Sequence, residues 1–269
     1  MLSIYPEPFA MPTSLFHQIV FGPIHSRRLG VSLGVNLLPT ENKYCNFNCI
    51  YCECGWTGHN IALSMPSRDN VREALEKKLI EMQQAGTQPD SITFAGNGEP
   101  SIHPDFADVI ADTVLLRNRT FPASKISVLS NATMLHRSEV VEALKKVDMP
   151  ILKLDSAFDA TRAKINLPAA SMPVNKLIAQ LKALNGQAVI QTMFLQGTYK
   201  GETVNNTTAA ELDAWEQAIC EIKPRQVQIY TIDRDTPADT LTKVSEQELQ
   251  AIAARIEKHG IPVQIAFNG

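Results

Sequence analysis

Four of the five cysteines, Cys45, Cys49, Cys52 and Cys54, lie within ten residues of one another, whereas Cys220 stands alone far downstream. Soft thiolates this close together can hold Zn²⁺ or an iron–sulfur cluster. Three thiolates on a four-iron cluster would leave one iron open to a substrate or a cofactor. The spacing therefore favours a metal centre in a reducing compartment over a disulfide framework.

A structural zinc site is the plain alternative for this loop. In that site Cys45, Cys49 and Cys52 would be completed by either Cys54 or His59, because zinc prefers four ligands. A second Cys-x2-Cys knuckle is absent from the sequence. Zinc would also leave unexplained the polar turns that follow later strands. The loop by itself leaves both metal centres open, and Cys54 is expected to be a bystander thiol rather than a ligand.

The segments that must position this loop alternate between short apolar runs and longer stretches of helical period. The predicted strands are residues 35–38, 91–95, 125–129, 151–155, 188–195, 226–232 and 262–266. The predicted helices are residues 67–86, 104–117, 138–147, 172–184, a segment that begins at Thr208 and contains Trp215 and Ile219, and residues 245–260. This alternation implies right-handed βαβ crossovers, about six or seven of them.

A closed barrel of eight such units needs roughly 250 residues. Fewer remain after residues 1–34, which contain four prolines and are expected to be irregular. The sequence therefore predicts an α/β fold in the form of a partial, open parallel α/β barrel of about six βα units. We expect residues 35–269 to form this barrel as a single domain, preceded by the irregular segment 1–34.

Polar residues follow the predicted strands at positions that should share one edge of the sheet. Gly96-Asn97-Gly98-Glu99-Pro100 follows the second strand, and Ser130-Asn131-Ala132-Thr133 follows the third. The fourth strand carries Lys153 and Asp155 at its end. Because active sites of parallel α/β folds gather at the carboxyl ends of the strands, we expect these turns to lie beside the cysteine loop.

The cysteine spacing and these turns resemble the motifs of the radical S-adenosylmethionine superfamily. Cys-x3-Cys-x2-Cys with an aromatic residue before the last cysteine is similar to its signature. Residues 96–100 resemble its Gly-Gly-Glu-Pro motif, 130–133 its Thr-Asn-Gly turn, and 152–156 its Val-Ser-Leu-Asp strand. Two further segments, 22–36 and 230–234, resemble small radical enzymes grouped with the wybutosine-biosynthesis iron–sulfur oxidoreductases.

This resemblance implies that Cys45, Cys49 and Cys52 each bind one iron of a [4Fe-4S] cluster whose fourth iron chelates S-adenosylmethionine. One electron would cleave the sulfonium to methionine and a 5′-deoxyadenosyl radical, which abstracts hydrogen from the substrate. The resemblance further implies cofactor contacts from Tyr51, Gly96, Asn97, Gly98, Glu99, Ser130, Asn131, Lys153, Asp155, Gln191 and Thr192.

An open barrel of this kind is expected to leave a wide lateral mouth, although a radical must be shielded from water. We therefore expect the substrate, or a macromolecule that carries it, to complete the enclosure, and an electron donor such as flavodoxin or ferredoxin to reduce the cluster. Guanidinium groups suit phosphate and carboxylate. The residues expected to line the mouth or to anchor an anionic group are Arg27, Arg28, Tyr230, Asp233 and Arg234.

Composition narrows the class of protein without naming a substrate. Hydrophobic residues make up 44% of the chain and charged residues 20%, which excludes global disorder. The net charge of −3 gives no indication of a nucleic-acid surface, although RNA stays open as a substrate beside nucleosides, peptides and small molecules. With no long apolar run and no secretory signal, we expect a cytoplasmic protein without a membrane partner. A glycyl-radical-enzyme activase and a non-catalytic zinc-stabilised binding module stay open as alternative functions.

Overall fold

The computed structural model of the protein describes residues 14–26, 28–58 and 64–267. The strands in this part of the chain are β1 (Val20–Ser26), β2 (Gly30–Val35), β3 (Ser91–Phe94), β4 (Lys125–Ser130), β5 (Met149–Lys153), β6 (Val189–Met193), β7 (Leu195–Tyr199), β8 (Glu202–Asn205), β9 (Gln226–Tyr230), β10 (Leu241–Lys243) and β11 (Val263–Ala266). The helices are α1 (Arg68–Gln84), α2 (Phe106–Thr120), α3 (Ser138–Leu144), α4 (Asp159–Ile165), α5 (Val174–Lys182), α6 (Ala209–Ile222) and α7 (Glu246–Glu257).

The main sheet has the strand order β1-β2-β3-β4-β5-β6-β9-β11. All neighbours from β2 onward pair in parallel, and β1 pairs antiparallel with β2. The sheet curls into an open half-barrel, which confirms the predicted partial α/β barrel. The remaining strands form a small antiparallel sheet in the order β10-β7-β8.

Helix α1 illustrates how the sequence pattern becomes packing. Ser67 caps its first turn by accepting a hydrogen bond from the backbone of Asn70. Val71, Leu75 and Leu79 recur at helical spacing and are fully buried against the sheet. Gly86, just beyond the last turn, has φ +66, a left-handed conformation that glycine adopts without strain. Other helices likewise pack an apolar face against the outside of the half-barrel.

The inner face of the half-barrel is more polar than its outer face. Hydroxyl groups bridge neighbouring strands, as in the Ser91–Ser127 hydrogen bond of 2.8 Å. Further round the sheet, Gln191 donates to Gln228 at 3.1 Å, and Gln228 donates to Gln264 at 3.0 Å. Buried amides and hydroxyls are stable only when they pair, so this row of side chains holds the strands in register around the interior.

The segment before residue 35 is not irregular throughout, which corrects the sequence prediction. Val20–Ser26 and Gly30–Val35 form a β-hairpin, so the first parallel strand ends at Val35 rather than beginning there. The reason is that β1 is an edge strand in which three of seven residues are exposed. Such a strand lacks the continuous apolar run by which buried parallel strands are recognised.

Further elements differ from the sequence prediction. The short strands β8 and β10 were not predicted. The predicted strand 188–195 breaks at Phe194, and the chain leaves the main sheet to begin β7 at Leu195. Helix α4 was not predicted, because its seven residues are too few to show a helical period. Strand β7 and helix α4 lie close to the cysteine loop and help to hold it in place. None of the helices in the described ranges has the length and apolar content needed to cross a bilayer.

Candidate active site

A cavity of about 300 Å³ opens at the carboxyl edge of the main sheet. The cysteine loop forms one wall, and the turns after β3 and β4 form the next. The predicted site residues that line it are Arg28, Cys45, Cys49, Tyr51, Cys52, Gly96, Gly98, Glu99, Ser130, Asn131, Lys153, Gln191 and Tyr230. The fold therefore brings together residues that are spread over about 200 positions of the sequence.

Other predicted residues lie outside this wall. Asn97 is fully buried, and its side chain binds the backbone of Phe16 and Pro39. Thr192 faces the outer layer, where its hydroxyl donates to the carbonyl of Leu154 and accepts a hydrogen bond from Trp215. These two side chains are engaged in structural contacts, and Arg27 lies outside the described residues.

The cysteine loop is pinned by backbone contacts on two sides. The Tyr44 amide donates to the Asn97 carbonyl at 2.7 Å, and the Ile50 amide donates to the Ile165 carbonyl at 3.0 Å at the end of α4. Gly98 permits the first contact: a Cβ there would stand 1.9 Å from the Tyr44 carbonyl oxygen, and its φ is +142. Only a residue without a side chain fits this approach.

Two cysteine sulfurs accept hydrogen bonds from asparagine amides. Asn131 Nδ2 lies 3.7 Å from Cys45 Sγ, and Asn166 Nδ2 lies 3.4 Å from Cys49 Sγ. Burial, together with the charge of Glu99, raises the pKa of the Cys45 thiol, and burial raises the pKa of Cys49 to about 11. Amide donors favour the thiolate form, which is the form that binds metal.

Lys43 is a buried cation in the wall of the same cavity. Only 4% of its surface is exposed, and Nζ donates to the Gly55 carbonyl at 2.7 Å. Burial alone would lower the pKa of Lys43, but the charges of Cys52, Cys45 and Cys49 raise it overall. A hydrogen bond from Cys54, together with the charge of Lys43, lowers the pKa of Cys52 in turn.

Glu99 ties the two polar turns together. Its carboxylate accepts hydrogen bonds from the amide and hydroxyl of Ser101, from Ser130 Oγ at 2.8 Å and from the Asn131 amide at 2.5 Å. Burial raises the pKa of this carboxyl group despite those donors. Its lone pairs are largely engaged within the protein, so Glu99 orients the turn that carries Asn131.

A second network joins the cysteine loop to the ends of β5 and β9. Asp155 accepts hydrogen bonds from the Tyr51 hydroxyl and from Asn166, and it pairs with Lys153 Nζ at 3.6 Å. The Lys153 ammonium stands over the rings of Tyr51 and Tyr230, 5.0 and 5.1 Å from their centroids. Asp155 is thus the buried carboxylate that joins Tyr51 and Asn166, and Lys153 is the cation that pairs with it.

The outer rim carries the ion pair between Arg234 and Glu53, with Nη1 and Oε2 2.7 Å apart. This contact links the segment after β9 to the cysteine loop, next to a smaller cavity of about 40 Å³ that Asp233 also lines. Both side chains of the pair are largely exposed, so it contributes little to stability.

Three residues in or beside the cysteine loop were not predicted from the sequence: Lys43, Asn46 and Asn166. Asn46 accepts a hydrogen bond from Asn131 Nδ2 at 2.6 Å, and its place inside the loop was a local signal. Lys43 precedes Cys45 by two residues, where a cation could have been expected to face thiolates. For Asn166 no sequence signal existed, because it follows the short helix α4.

The three cysteines line one wall of the cavity without forming a site for a single metal ion. Among the described residues, no three histidine, cysteine, aspartate or glutamate side chains come close enough to share a single metal ion. Thiolates that each bind a different iron of a cluster need no such convergence.

Comparison with known proteins gives a family and several relatives. Residues 42–210 match the family described as the radical SAM superfamily. A UPF0026 protein of Helicobacter pylori (strain J99) is 30% identical over 239 residues, which cover 86% of this chain and 71% of that protein. A protein of Brachyspira hyodysenteriae named GTPase Obg is 28% identical over 235 residues, but the chain spans only 32% of its length.

Solved structures share the fold at low sequence identity. A radical SAM methyltransferase from Sphaerobacter thermophilus superposes with a TM-score of 0.64 at 14% identity, over 87% of this chain and 65% of that one. Streptococcus suis SuiB bound to S-adenosylmethionine gives a TM-score of 0.60 at 16% identity, over 85% of this chain and 49% of that one. At these identities the likeness establishes a common half-barrel architecture.

Proposed function

The chain belongs to the radical SAM superfamily, and on that premise we propose that it is an enzyme that binds a [4Fe-4S] cluster through Cys45, Cys49 and Cys52. The observation that carries this proposal is that these thiols line one cavity together with the turns after β3 and β4. When bound, the cluster and S-adenosylmethionine would supply reductive cleavage of the sulfonium and a 5′-deoxyadenosyl radical that abstracts hydrogen from the substrate.

The donor set fits such a cluster. Soft thiolates are the usual ligands of iron–sulfur centres, and hydrogen bonds to the sulfurs tune them. Asn131 and Asn166 direct amide donors at two of the three sulfurs, and the buried Lys43 ammonium offsets their negative charge. The zinc-stabilised module, by contrast, finds no support in superfamily membership, which favours an enzyme.

The neighbouring turns are proposed to hold S-adenosylmethionine. Gly96 and Gly98 line the cavity, and glycine is needed at both because a Cβ would strike the Asn36 side chain or the Tyr44 carbonyl. Glu99 holds Ser130 and Asn131 in place. The adjoining walls of the cavity are formed by Tyr51, Lys153 and Gln191. Asp155 lies behind them and pairs with Lys153. An external reductant such as flavodoxin or ferredoxin would reduce the cluster.

Anaerobic reconstitution with iron and sulfide tests this proposal. We expect about four irons per chain and, with a reductant, conversion of S-adenosylmethionine to methionine and 5′-deoxyadenosine. Cys45→Ala, Cys49→Ala and Cys52→Ala should each lose the cluster. Cys54→Ala should retain it, and Cys220→Ala, on α6, is the matched control. Stoichiometric zinc without iron or sulfide in the reconstituted protein would refute the proposal.

A further inference from the structure

Arg28 and Leu29, just before β2, lie inside the half-barrel and form the floor of its cavity. Leu29 packs on the inner face of the sheet against Met149, Ile151 and Val189. The carbonyl of Arg28 accepts a hydrogen bond from Gln264 of β11, the last strand, at 3.5 Å. The hairpin thus bridges the two sides of the open sheet from within and places the Arg28 side chain beneath the cysteine loop.

One nitrogen of the Arg28 guanidinium lacks a hydrogen-bond acceptor within the described part of the chain. The guanidinium lies over the ring of Tyr230, with Cζ 4.8 Å from the centroid, and it lines the main cavity. Its Nη1 is buried and has no hydrogen-bond partner among the residues that the structure describes. Leaving a buried charged donor unpaired is unfavourable. An acceptor brought by a ligand would satisfy it.

The surrounding charge also favours an anion. Lys153 stands over the same Tyr230 ring and donates to its hydroxyl at 2.7 Å. The carboxylate nearest to Lys153, Asp155, already accepts hydrogen bonds from Tyr51, Asn166 and the Met193 amide. Among the described side chains Arg28 has no ion-pair partner. Arg28 and Lys153 therefore place two cations beside one ring in the main cavity, where Asp155 is already engaged, while Glu53 and Asp233 line the smaller cavity next to Arg28.

We propose that the substrate carries an anionic group, a carboxylate or a phosphate, that binds Arg28 Nη1 on this floor beside Lys153. The inference rests on the radical SAM function proposed above and names the substrate class of that same site. The turns proposed for S-adenosylmethionine follow β3 and β4, whereas Arg28 contacts β9 and β11 on the other side of the half-barrel. The acidic group is therefore assigned to the substrate and not to the cofactor carboxylate.

The experiment uses the reconstituted, anaerobic protein, first without and then with saturating S-adenosylmethionine, and sodium phosphate and sodium acetate as probes. Thermal unfolding midpoints are measured against sodium chloride at equal ionic strength. We expect at least one of the two anions to give a saturable rise in the parent protein. In Arg28→Gln, the anion concentration at half-saturation should rise by about 10- to 100-fold, because a hydrogen bond to a charged group is lost. Arg119→Gln is the matched control, because Arg119 is an exposed arginine of α2 that pairs with Glu76 of α1. It should behave like the parent.

Three results would overturn the inference: no saturable rise with either anion, an equal rise in Arg28→Gln, or a rise that vanishes once S-adenosylmethionine saturates the protein. The last result would assign Arg28 to the cofactor carboxylate. If Arg28→Gln does not fold, Arg28→Lys retains the charge but loses the planar fork, and it should also bind the anion more weakly. Iron content and 5′-deoxyadenosine formation of the parent protein judge the proposed function separately.

Discussion

At the scale of single residues, Lys43 places a buried positive charge beside the three cysteine sulfurs. A positive charge stabilises the more negative, reduced state of a cluster relative to its oxidised state. We therefore predict that Lys43→Gln shifts the midpoint potential of the reconstituted cluster to more negative values, as measured by anaerobic redox titration. Lys77→Gln, on the exposed face of α1, should leave the potential unchanged. A potential equal to that of the parent in Lys43→Gln would contradict this role.

Asn131 contacts both the cysteine loop and the turn proposed to bind S-adenosylmethionine. Asn131→Ala should retain about four irons per chain but bind S-adenosylmethionine about 2- to 13-fold more weakly, the equivalent of about 0.5–1.5 kcal/mol for a lost hydrogen bond. The cofactor-induced change in the electron paramagnetic resonance spectrum of the reduced cluster reports this affinity. Asn175→Ala, exposed on α5, is the control. Unchanged affinity in Asn131→Ala would remove this residue from the cofactor site.

At the scale of elements, the cysteine loop depends on its close approach to the turn after β3. Gly98→Ala would force a Cβ against the Tyr44 carbonyl and strain a backbone with φ +142. We predict a loss of thermal stability and incomplete iron loading, because the loop must move away from the turn. Gly201→Ala, which also has a positive φ but open space around it, is the control for strain alone. Equal iron loading in the two variants would show that the loop tolerates the shift.

Helices α6 and α7 are joined by a charge network around Glu216. Its carboxylate pairs with Arg255, Lys258 and His259 at 2.7–2.8 Å. Burial opposes the charged form, but hydrogen bonds from His259, Lys258 and Arg255 outweigh it and lower the pKa of Glu216 from 4.5 to about 2. A carboxyl group with a lowered pKa stabilises the fold above its unfolded value, and this stabilisation is lost as the pH falls from about 4.5 to about 2.

We therefore predict that Glu216→Gln lowers the unfolding midpoint at pH 7 by about 2–4 °C, corresponding to roughly 1 kcal/mol. The difference from the parent should shrink as the pH falls through this window, as measured by thermal unfolding from pH 7 to pH 2. Glu257→Gln, exposed in the last turn of α7, should show no such difference. A gap that stays constant with pH would show that the charge of Glu216 is not its cause.

At the scale of the whole molecule, the half-barrel is less open than its sequence suggests, because Arg28 and Leu29 occupy part of its interior. The Arg234–Glu53 pair crosses the rim above it. The substrate, or a macromolecule that carries it, is still proposed to complete the enclosure from the rim side. In such a fold, the cofactor and the substrate would be held between the cysteine loop and the floor around Arg28.

Cofactor binding should therefore stabilise the whole molecule. S-adenosylmethionine at about 100 times its dissociation constant should raise the free energy of unfolding by about 2.7 kcal/mol, because it binds the folded chain. Thermal unfolding of the reconstituted protein measures this rise. Cys49→Ala, which should lack the cluster, should show a much smaller rise. An equal rise in that variant would mean that the cofactor binds independently of the cluster.

Much of the fold was predictable because its signals are local. In the main sheet, the strands from β3 onward carry apolar runs, and α1 carries its apolar residues at helical spacing with a cap and a glycine stop. The edge strand β1 and the short helix α4 escaped prediction, since partial exposure and short length remove those signals. The break at Phe194 was also missed, because the apolar run continues through it.

The features of the candidate site were likewise predictable only in part. The closely spaced thiols, and the polar turns that parallel strands must bring to one edge, are visible in the sequence and indicate the chemistry proposed for the site. The directions of the side chains, and the distant residues that they meet, depend on the tertiary structure. Asn97 turns toward Phe16, Asn166 meets Cys49 from 117 positions away, and Arg28 lies beneath Tyr230. Local sequence cannot encode these contacts, because they exist only once the sheet curls and brings its first hairpin against its last strands.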